Sequence, residues 1–430
     1  MQPPAALGTN TQVMDTVIVL FNRDLRVADH PALAAACARA RLVVPLFVLD
    51  PAVPAGRRAG FLSECLADLR GSLRARGGEL FVRHGDTVHE TMRLARESAA
   101  EAVFTSADVS ALAQRRQRRL AAQPIEVRLF PGVTVIPPGE LLPSGGGDHY
   151  RVFTPYWRAW SVAPRRDPER APTRVEVPDG QPAGDIPDAP RWGALAGGET
   201  QGRARMRTWL RDHLAGYAEG RDDLAGDRTS KLSPYLRFGC VSPLELAGCG
   251  EEEFVRQLCW RDFHHQVTHA FPGIGRSDYR PHRGHWREDA YAASAWAEGM
   301  TGVPIVDAGM RQLLAEGWMH NRARLITASY LVKQLGVDWR TGARHFFELL
   351  LDGDVADNCG NWQWVAGTGN DTRRNRAFNP IRQAKRFDPD GEYVRRYVPE
   401  LAGVPAPLVH EPWLSPRPVR GYPPRLDSPP

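Results

Sequence analysis

At 430 residues, with 42% hydrophobic and 24% charged residues and a formal net charge of +5, the chain has room for two or three domains that each bury a core. No apolar run approaches the ~18 residues that a membrane span needs, which excludes a helical membrane protein and leaves a soluble one. The six cysteines (Cys37, Cys65, Cys240, Cys249, Cys259, Cys359) show no C-x-x-C pair and no metal-ligand spacing, so reduced thiols and no metal are expected. The Pro- and Ala-rich start, residues 1–15, lacks the charged head and apolar core of a signal peptide; a cytoplasmic protein with a disordered lead is expected. The mild positive charge suits a polyanionic partner. Only Lys231, Lys333 and Lys385 are lysines, a ratio that base composition of the gene explains as well as function does.

Thr16 to Phe21 and Leu42 to Leu49 are short, continuous apolar runs, and the Ala-rich Pro31 to Ala40 between them reads as a helix. Leu80 to Arg83 and Ala102 to Thr105 repeat the strand signal, the first behind a helical pattern at Phe61 to Arg76. Strands apolar on both faces and alternating with helices indicate a doubly wound parallel α/β sheet over residues 13–135, with any ligand at the carboxyl ends of its strands. No G-x-G-x-x-G follows the first strand; Asn22-Arg23-Asp24-Leu25-Arg26 stands there, so a standard dinucleotide site is not expected. Residues 136–198 turn to Pro, Gly and charge, as in a long interdomain linker, interrupted by an aromatic island at Phe153 to Trp160 that reads as a short helix. Over residues 199–405 the strand signals stop. Gln201 to Gly216, Pro243 to Ala247, Glu251 to Ala270, Pro304 to Glu316, His320 to Leu335 and Trp339 to Leu351 carry helical periodicity, predicting an all-α domain. The Pro-rich tail, residues 406–430, is expected to be extended or disordered.

Chemistry concentrates in this second half. Thr229-Ser230-Lys231-Leu232-Ser233 sets hydroxyls and free amides before a helix, which suits helix capping or a phosphate. His265 and His269 stand at i and i+4 without the Glu of a zinc-protease pattern and read as ordinary helix histidines. Between Trp318 and Trp364 lie Asn321, Arg322 and Arg324 on one helix, Trp339, the acids Asp352 and Asp354, and the run Asn358-Cys359-Gly360-Asn361-Trp362-Gln363-Trp364. With ~100° of rotation per residue, Arg322 and Arg324 point about 160° apart, so one can face an interior ligand and the other a polyanion. The inward Arg324 needs a counter-charge, and Asp352 and Asp354 are the natural suppliers. Buried Arg, Asp and Asn among indoles suit a large, planar, phosphate-bearing aromatic ligand.

Five segments carry a resemblance: Phe21 to Leu33 (FNRDLRVADHPAL), Thr229 to Pro243 (TSKLSPYLRFGCVSP), Gln257 to Phe263 (QLCWRDF), Thr301 to Leu335 and Asp352 to Thr368 (DGDVADNCGNWQWVAGT), continuing to Phe378-Asn379-Pro380 and Tyr397 to Leu401. From about Val17 to Leu401 the chain resembles the DNA photolyases of the cryptochrome/photolyase family, in particular bacterial class I enzymes acting on cyclobutane pyrimidine dimers. The resemblance implies an α/β antenna domain followed by a helical domain holding FAD, and light-driven electron transfer from reduced FAD to a flipped dimer in DNA. It implies FAD contacts from Tyr217, Thr229, Ser230, Leu232, Ser233, Arg261, Asn321, Arg324, Asp352, Asp354 and Asn358, with Asn358 against the reducible ring nitrogen. Trp362, Trp339 and Trp286 match the tryptophans that carry electrons to FAD. Gln257, Trp260, Asn321, Leu325 and Trp364 match positions around the lesion, and Arg221, Arg322 and Arg376 match contacts to DNA phosphates.

Two departures bear on the lesion. Gln257 stands where cyclobutane-dimer enzymes commonly have Glu, and Leu325 where they have Met. Glutamine also occurs there in (6-4) photolyases, but those use a histidine at the Leu325 position as an acid, and leucine cannot titrate. Cyclobutane dimers are therefore the expected substrate, with a (6-4) photolyase or a cryptochrome-type blue-light receptor as alternatives. A second chromophore, deazaflavin rather than folate, is expected in the first domain near Asn22 to Arg26 and Asp50. The monomer is the expected state.

Overall fold

The computed structural model describes residues 13–282, 284–370 and 377–426. Its first half is a five-stranded parallel sheet in the order β3-β2-β1-β4-β5. The strands are β1 (Met14–Phe21), β2 (Ala40–Leu49), β3 (Phe81–His84), β4 (Ala102–Ser106) and β5 (Glu126–Phe130), joined by α1 (Pro31–Arg39), α2 (Ala59–Arg74), α3 (Thr87–Glu97) and α4 (Ala111–Ala121). Along β1, Val17, Val19 and Phe21 enter one core while Ile18 and Leu20 enter another across the sheet. That division explains the unbroken apolar run, because both faces of a parallel strand are covered by helices. The order of strands reverses between β1 and β4, so the loops after these strands open the crevice of the sheet. β5 gave no apolar run because it is an edge strand: Glu126 and Leu129 are exposed.

The helical half comprises α5 (Phe153–Val162), α6 (Glu199–Asp212), α7 (Tyr217–Gly220), α8 (Ser233–Phe238), α9 (Pro243–Ala247) and α10 (Glu252–Ala270), then α11 (Ala290–Glu298), α12 (Pro304–Glu316) and α13 (Asn321–Ser329). It continues through α14 (Trp339–Leu349), α15 (Val355–Ala366), α16 (Pro380–Phe387), α17 (Glu392–Tyr397) and α18 (Ala406–Val409). The single helix expected from His320 to Leu335 is α13 followed by one π-helical segment, Tyr330–Gln334.

Two sequence expectations need correction. The stretch 136–198 connects the halves, yet it is held against the sheet domain: Val43 N–H donates to the Glu176 carbonyl at 2.7 Å, Val175 N–H to Arg76 at 2.9 Å and Val82 N–H to Ala183 at 2.7 Å. Proline and glycine suppress regular elements without preventing such docking. Residues 406–426 of the tail are not loose either, since Val409 and His410 are buried, Leu426 N–H donates to Thr301 O at 2.8 Å and the Tyr422 hydroxyl donates to Asp307 at 2.6 Å.

Arg26 fastens the two halves. It is 1% exposed and donates to the carbonyls of Gly239 at 2.9 Å, Gly132 at 2.9 Å and Asp29 at 2.8 Å. Leu25 N–H reaches the Phe238 carbonyl at 3.1 Å, and Gly239 turns α8 back with φ +69°. A Cβ on Gly239 would stand 2.0 Å from the Arg23 carbonyl oxygen, so both the left-handed backbone and the close approach require glycine here. Gly239→Ala is therefore expected to lower the melting midpoint by roughly 4–10 °C. Gly145→Ala, which meets nothing within 4 Å, should leave it unchanged in the same calorimetric scan.

Candidate active site

A cavity of about 520 Å³ opens between α7, α8, α10, α13 and α15, within the range of cofactor pockets. The sequence-expected cofactor residues converge on it. Tyr217 enters from α7, Thr229, Ser230, Leu232 and Ser233 from the turn into α8, Arg261 from α10, and Asn321 and Arg324 from α13. Asp352, Asp354 and Asn358 close it from the loop before α15 and from α15 itself.

The charge arrangement follows from burial. Asp352 accepts both guanidinium nitrogens of Arg324 at 3.1 and 2.7 Å and the Ser233 hydroxyl at 2.5 Å. This bidentate pairing fixes the Arg324 plane toward the cavity. Asp354, expected to share Arg324, is instead paired with Arg23 of the loop after β1. The same guanidinium reaches Asp108 at 3.2 Å. Burial alone would raise the Asp354 carboxyl, but Arg23, with Arg237 and Arg261 near it, holds it well below the usual carboxylate range. Burial pushes His264 down to about 4 and His265 to about 3, so both imidazoles are neutral at pH 7.

Two features of the turn into α8 fit a phosphate-bearing ligand, and a third fixes the cavity wall. The Thr229 hydroxyl is buried without a hydrogen-bond partner among the described residues, a group that an acceptor oxygen would satisfy. Lys231 adopts φ +49°, which turns the chain sharply where Arg205 holds the Ser230 carbonyl at 2.6 Å. Asn358 donates through Nδ2 to the Ala343 carbonyl at 2.8 Å, which fixes the amide in the cavity wall.

The mouth has a different character. Trp260 stacks on Phe153 with ring centroids 3.6 Å apart, and Trp364 tilts over Phe378 at 6.5 Å. Gln257 and Leu325 share the same lining, and the Gln257 amide donates to Glu253 O at 3.3 Å. Arg221 and Arg322 flank the opening, each already paired: Arg221 with Glu253, and Arg322 with Asp222 at 2.7 and 2.8 Å. Arg376, with the rest of the run 371–376, lies outside the described residues.

Of the three electron-carrying candidates only Trp362 lines the cavity. A Cβ on Gly342 would stand 2.1 Å from its ring, so glycine lets α14 lie against the indole. Trp339, fully buried at the start of α14, donates its indole N–H to Asp278 at 2.8 Å. Trp286 stacks on His282 at 3.8 Å, and its neighbour Arg287 forms a β-bridge with Val337, two residues before Trp339. Trp362 and Trp339 are buried, and Trp286 is partly exposed.

Sequence reasoning missed Arg23, Arg237, His264, Asp357 and Asn361. Arg23 and Arg237 sit inside the quoted motifs; Arg23 acts across the domain interface on Asp354, while Arg237 holds the Gly353 carbonyl at 2.6 Å within the helical half. His264 faces Gly360, whose Cβ would fall 2.2 Å from its Nδ1, a contact without a local signal. The residues expected to line an antenna cleft are engaged within the protein. Asn22 binds Thr105 at 3.1 Å, Asp24 pairs with His30 at 3.1 Å, and Arg23, Leu25 and Arg26 serve the interface. Asp50 is occupied by the Thr87 amide at 3.0 Å and hydroxyl at 2.6 Å.

Comparison with known proteins agrees with this geometry. Residues 17–176 match the family model for DNA photolyase, and residues 254–424 that for the FAD binding domain of DNA photolyase. A deoxyribodipyrimidine photo-lyase of Streptomyces griseus is 51% identical over 427 residues, covering 93% of each chain. The crystal structure of a class III photolyase from Agrobacterium tumefaciens has a TM-score of 0.89 at 34% identity, covering 96% of this chain and 92% of the other. An archaeal photolyase from Sulfolobus tokodaii, solved with two FAD molecules, has a TM-score of 0.87 at 30% identity and 96% coverage of both chains. With both halves matched in order, the chain belongs to the cryptochrome/photolyase family and carries its FAD-binding domain.

Proposed function

We propose that this chain is a deoxyribodipyrimidine photo-lyase that splits cyclobutane pyrimidine dimers in DNA under light. The observation that carries the reading is one cavity with two environments: a charged inner wall suited to FAD, and an indole-lined mouth open to a flipped base. When bound and reduced, FAD supplies a photoexcitable one-electron donor. Residues of this chain do the rest. Arg324, held by Asp352, offers a fixed planar donor set, Ser233 is oriented by the same carboxylate, and Thr229 offers a free hydroxyl. Trp260, kept rigid by Phe153, and Trp364 provide stacking faces for bases that have left the helix, which offsets a cost of a few kcal/mol for flipping. Gln257, on the lining of the mouth, is proposed to hydrogen-bond the lesion, and the aliphatic Leu325 lends no acid, which favours cyclobutane dimers over (6-4) products. Class I membership belongs to this proposal and rests on lesion chemistry, because the fold is shared with a class III enzyme.

Trp286, Trp339 and Trp362 are proposed as the route by which electrons reach the cavity from the surface. A second light-harvesting chromophore, a deazaflavin rather than a folate, is proposed for the first domain. Arg116 on α4 supports an anionic ligand there, being half-buried opposite Asp24, Asp50 and Asp108 without a hydrogen bond among the described residues. The absorption maximum of natively expressed protein distinguishes the two chromophores. No helix among the described residues is long and apolar enough to cross a membrane; a monomeric, cytoplasmic enzyme is proposed.

Illumination of the reduced protein with oligonucleotides carrying either lesion tests the activity. Recovery of intact thymines from the cyclobutane dimer alone is expected; recovery from the (6-4) product alone, or from neither, would replace the proposal by one of its alternatives. Trp362→Phe is expected to slow photoreduction at least tenfold while sparing repair by chemically reduced protein. Loss of both would remove Trp362 from the proposed route. Arg322→Gln should flatten the log–log salt dependence of DNA binding by about one unit, read by fluorescence anisotropy across a salt series.

A further inference from the structure

Asp357 has no part in the mechanism above, yet its side chain stands on the cavity face of α15 with Asp354, Asn358 and Asn361. Its carboxylate, the Asp354 carboxylate and the His265 imidazole offer atoms that all lie within 4.8 Å of one another. Two carboxyl groups this close, one buried and one half-buried, disfavour each other's ionisation.

Geometry decides which one keeps its proton. Asp354 accepts from Arg23 on one oxygen and from the Asp357 backbone amide, at 3.0 Å, on the other. The Asp357 carboxyl receives no hydrogen bond or ion pair among the described residues; only its backbone groups are used, the carbonyl by Asn361 at 2.8 Å. His265 bonds the Arg261 carbonyl through Nδ1 at 2.9 Å, which places its proton there and leaves Nε2 a buried lone pair, 3.7 Å from Asp354 Oδ2, without a hydrogen bond among the described residues. Such a lone pair accepts from a carboxylic acid and repels a second carboxylate. The other charged or titratable groups around Asp357 are Arg261, Asp262 and His264 of α10, Arg237 of α8 and Arg23 after β1. The nearest cations are already engaged by carbonyls or by Asp354: Arg261 with the Val133 carbonyl at 2.6 Å, Arg237 with Gly353.

We propose that Asp357 makes cofactor retention pH-dependent: as a neutral acid it donates a hydrogen bond into the cavity, and as a carboxylate it repels a diphosphate-bearing FAD. The inference rests on the FAD reading of the cavity. Burial, and then the Asp354 charge, hold the Asp357 carboxyl well above its ordinary range against the pull of Arg261 and Arg23. The sign follows: FAD is held most firmly below the Asp357 pKa, and affinity falls by up to about tenfold per pH unit above it.

The test follows FAD release from purified holoprotein, as the gain in flavin fluorescence on dilution, at intervals from pH 6.5 to 9.5. Wild type should show a dissociation constant that rises at least tenfold across this range, whereas Asp357→Asn, a neutral donor, should vary less than twofold. Asp357→Glu should keep the dependence with a shifted midpoint, which covers the case where the Asn variant fails to fold. Thermal melts of each variant at both pH limits separate release from unfolding. A flat wild-type profile, an unchanged rise in Asp357→Asn, or an unshifted Glu variant overturns the proposal. Wild type that holds no FAD at any pH overturns the FAD reading itself.

Discussion

Two buried carboxylates one residue apart, Asp352 and Asp354, and the arginines that compensate them organise this molecule. An ion of this kind is stable away from water only with a well-placed partner. Here the partners come from opposite halves: Arg324 from α13 and Arg23 from the loop that leaves the parallel sheet. The turn 352–354 is thereby held from both sides, and Arg237 grips the Gly353 carbonyl between them. Because Arg26, three residues after Arg23, is buried against Gly239 at the end of α8, the loop that fastens the domains also builds the cofactor wall. Domain docking and site assembly are one constraint.

The same principle separates the inner wall from the mouth. Inside, the cations are committed to carbonyls and acids and serve to position groups. At the rim, Arg221 and Arg322 are paired with Glu253 and Asp222, which are partly exposed. A phosphate approaching there exchanges one counter-ion for another, so the gain is modest at each position and depends on salt. In the proposed function, selectivity then falls to the stacking surfaces of Trp260 and Trp364, which would reward a base already displaced from its duplex.

Much of this was legible in the residues themselves. Five consecutive apolar residues in β1, Val17 to Phe21, announced a strand covered on both faces, and the i, i+3 relation of Asn321 and Arg324 placed both on the cavity side. Resemblance then gathered residues from distant segments that no periodicity could bring together. What stayed hidden depends on distance in the chain or on local ambiguity. The partner of Asp354 lies 331 positions away in another domain. β5 carries Glu and Arg because it forms the sheet edge, and the Pro-rich tail gives no periodic pattern although Tyr422 closes on Asp307. Asp357 reads as an ordinary helix-surface acid until Asp354 and His265 are seen beside it.

A crystal structure of the protein grown with FAD bears most directly on the account. The flavin should appear between α8, α10, α13 and α15, with its ring system near Asn358 and Trp362 and its phosphates near Thr229 and Ser230. Difference density elsewhere, or a cavity closed by the side chains of Arg324 and Asp352, would contradict it.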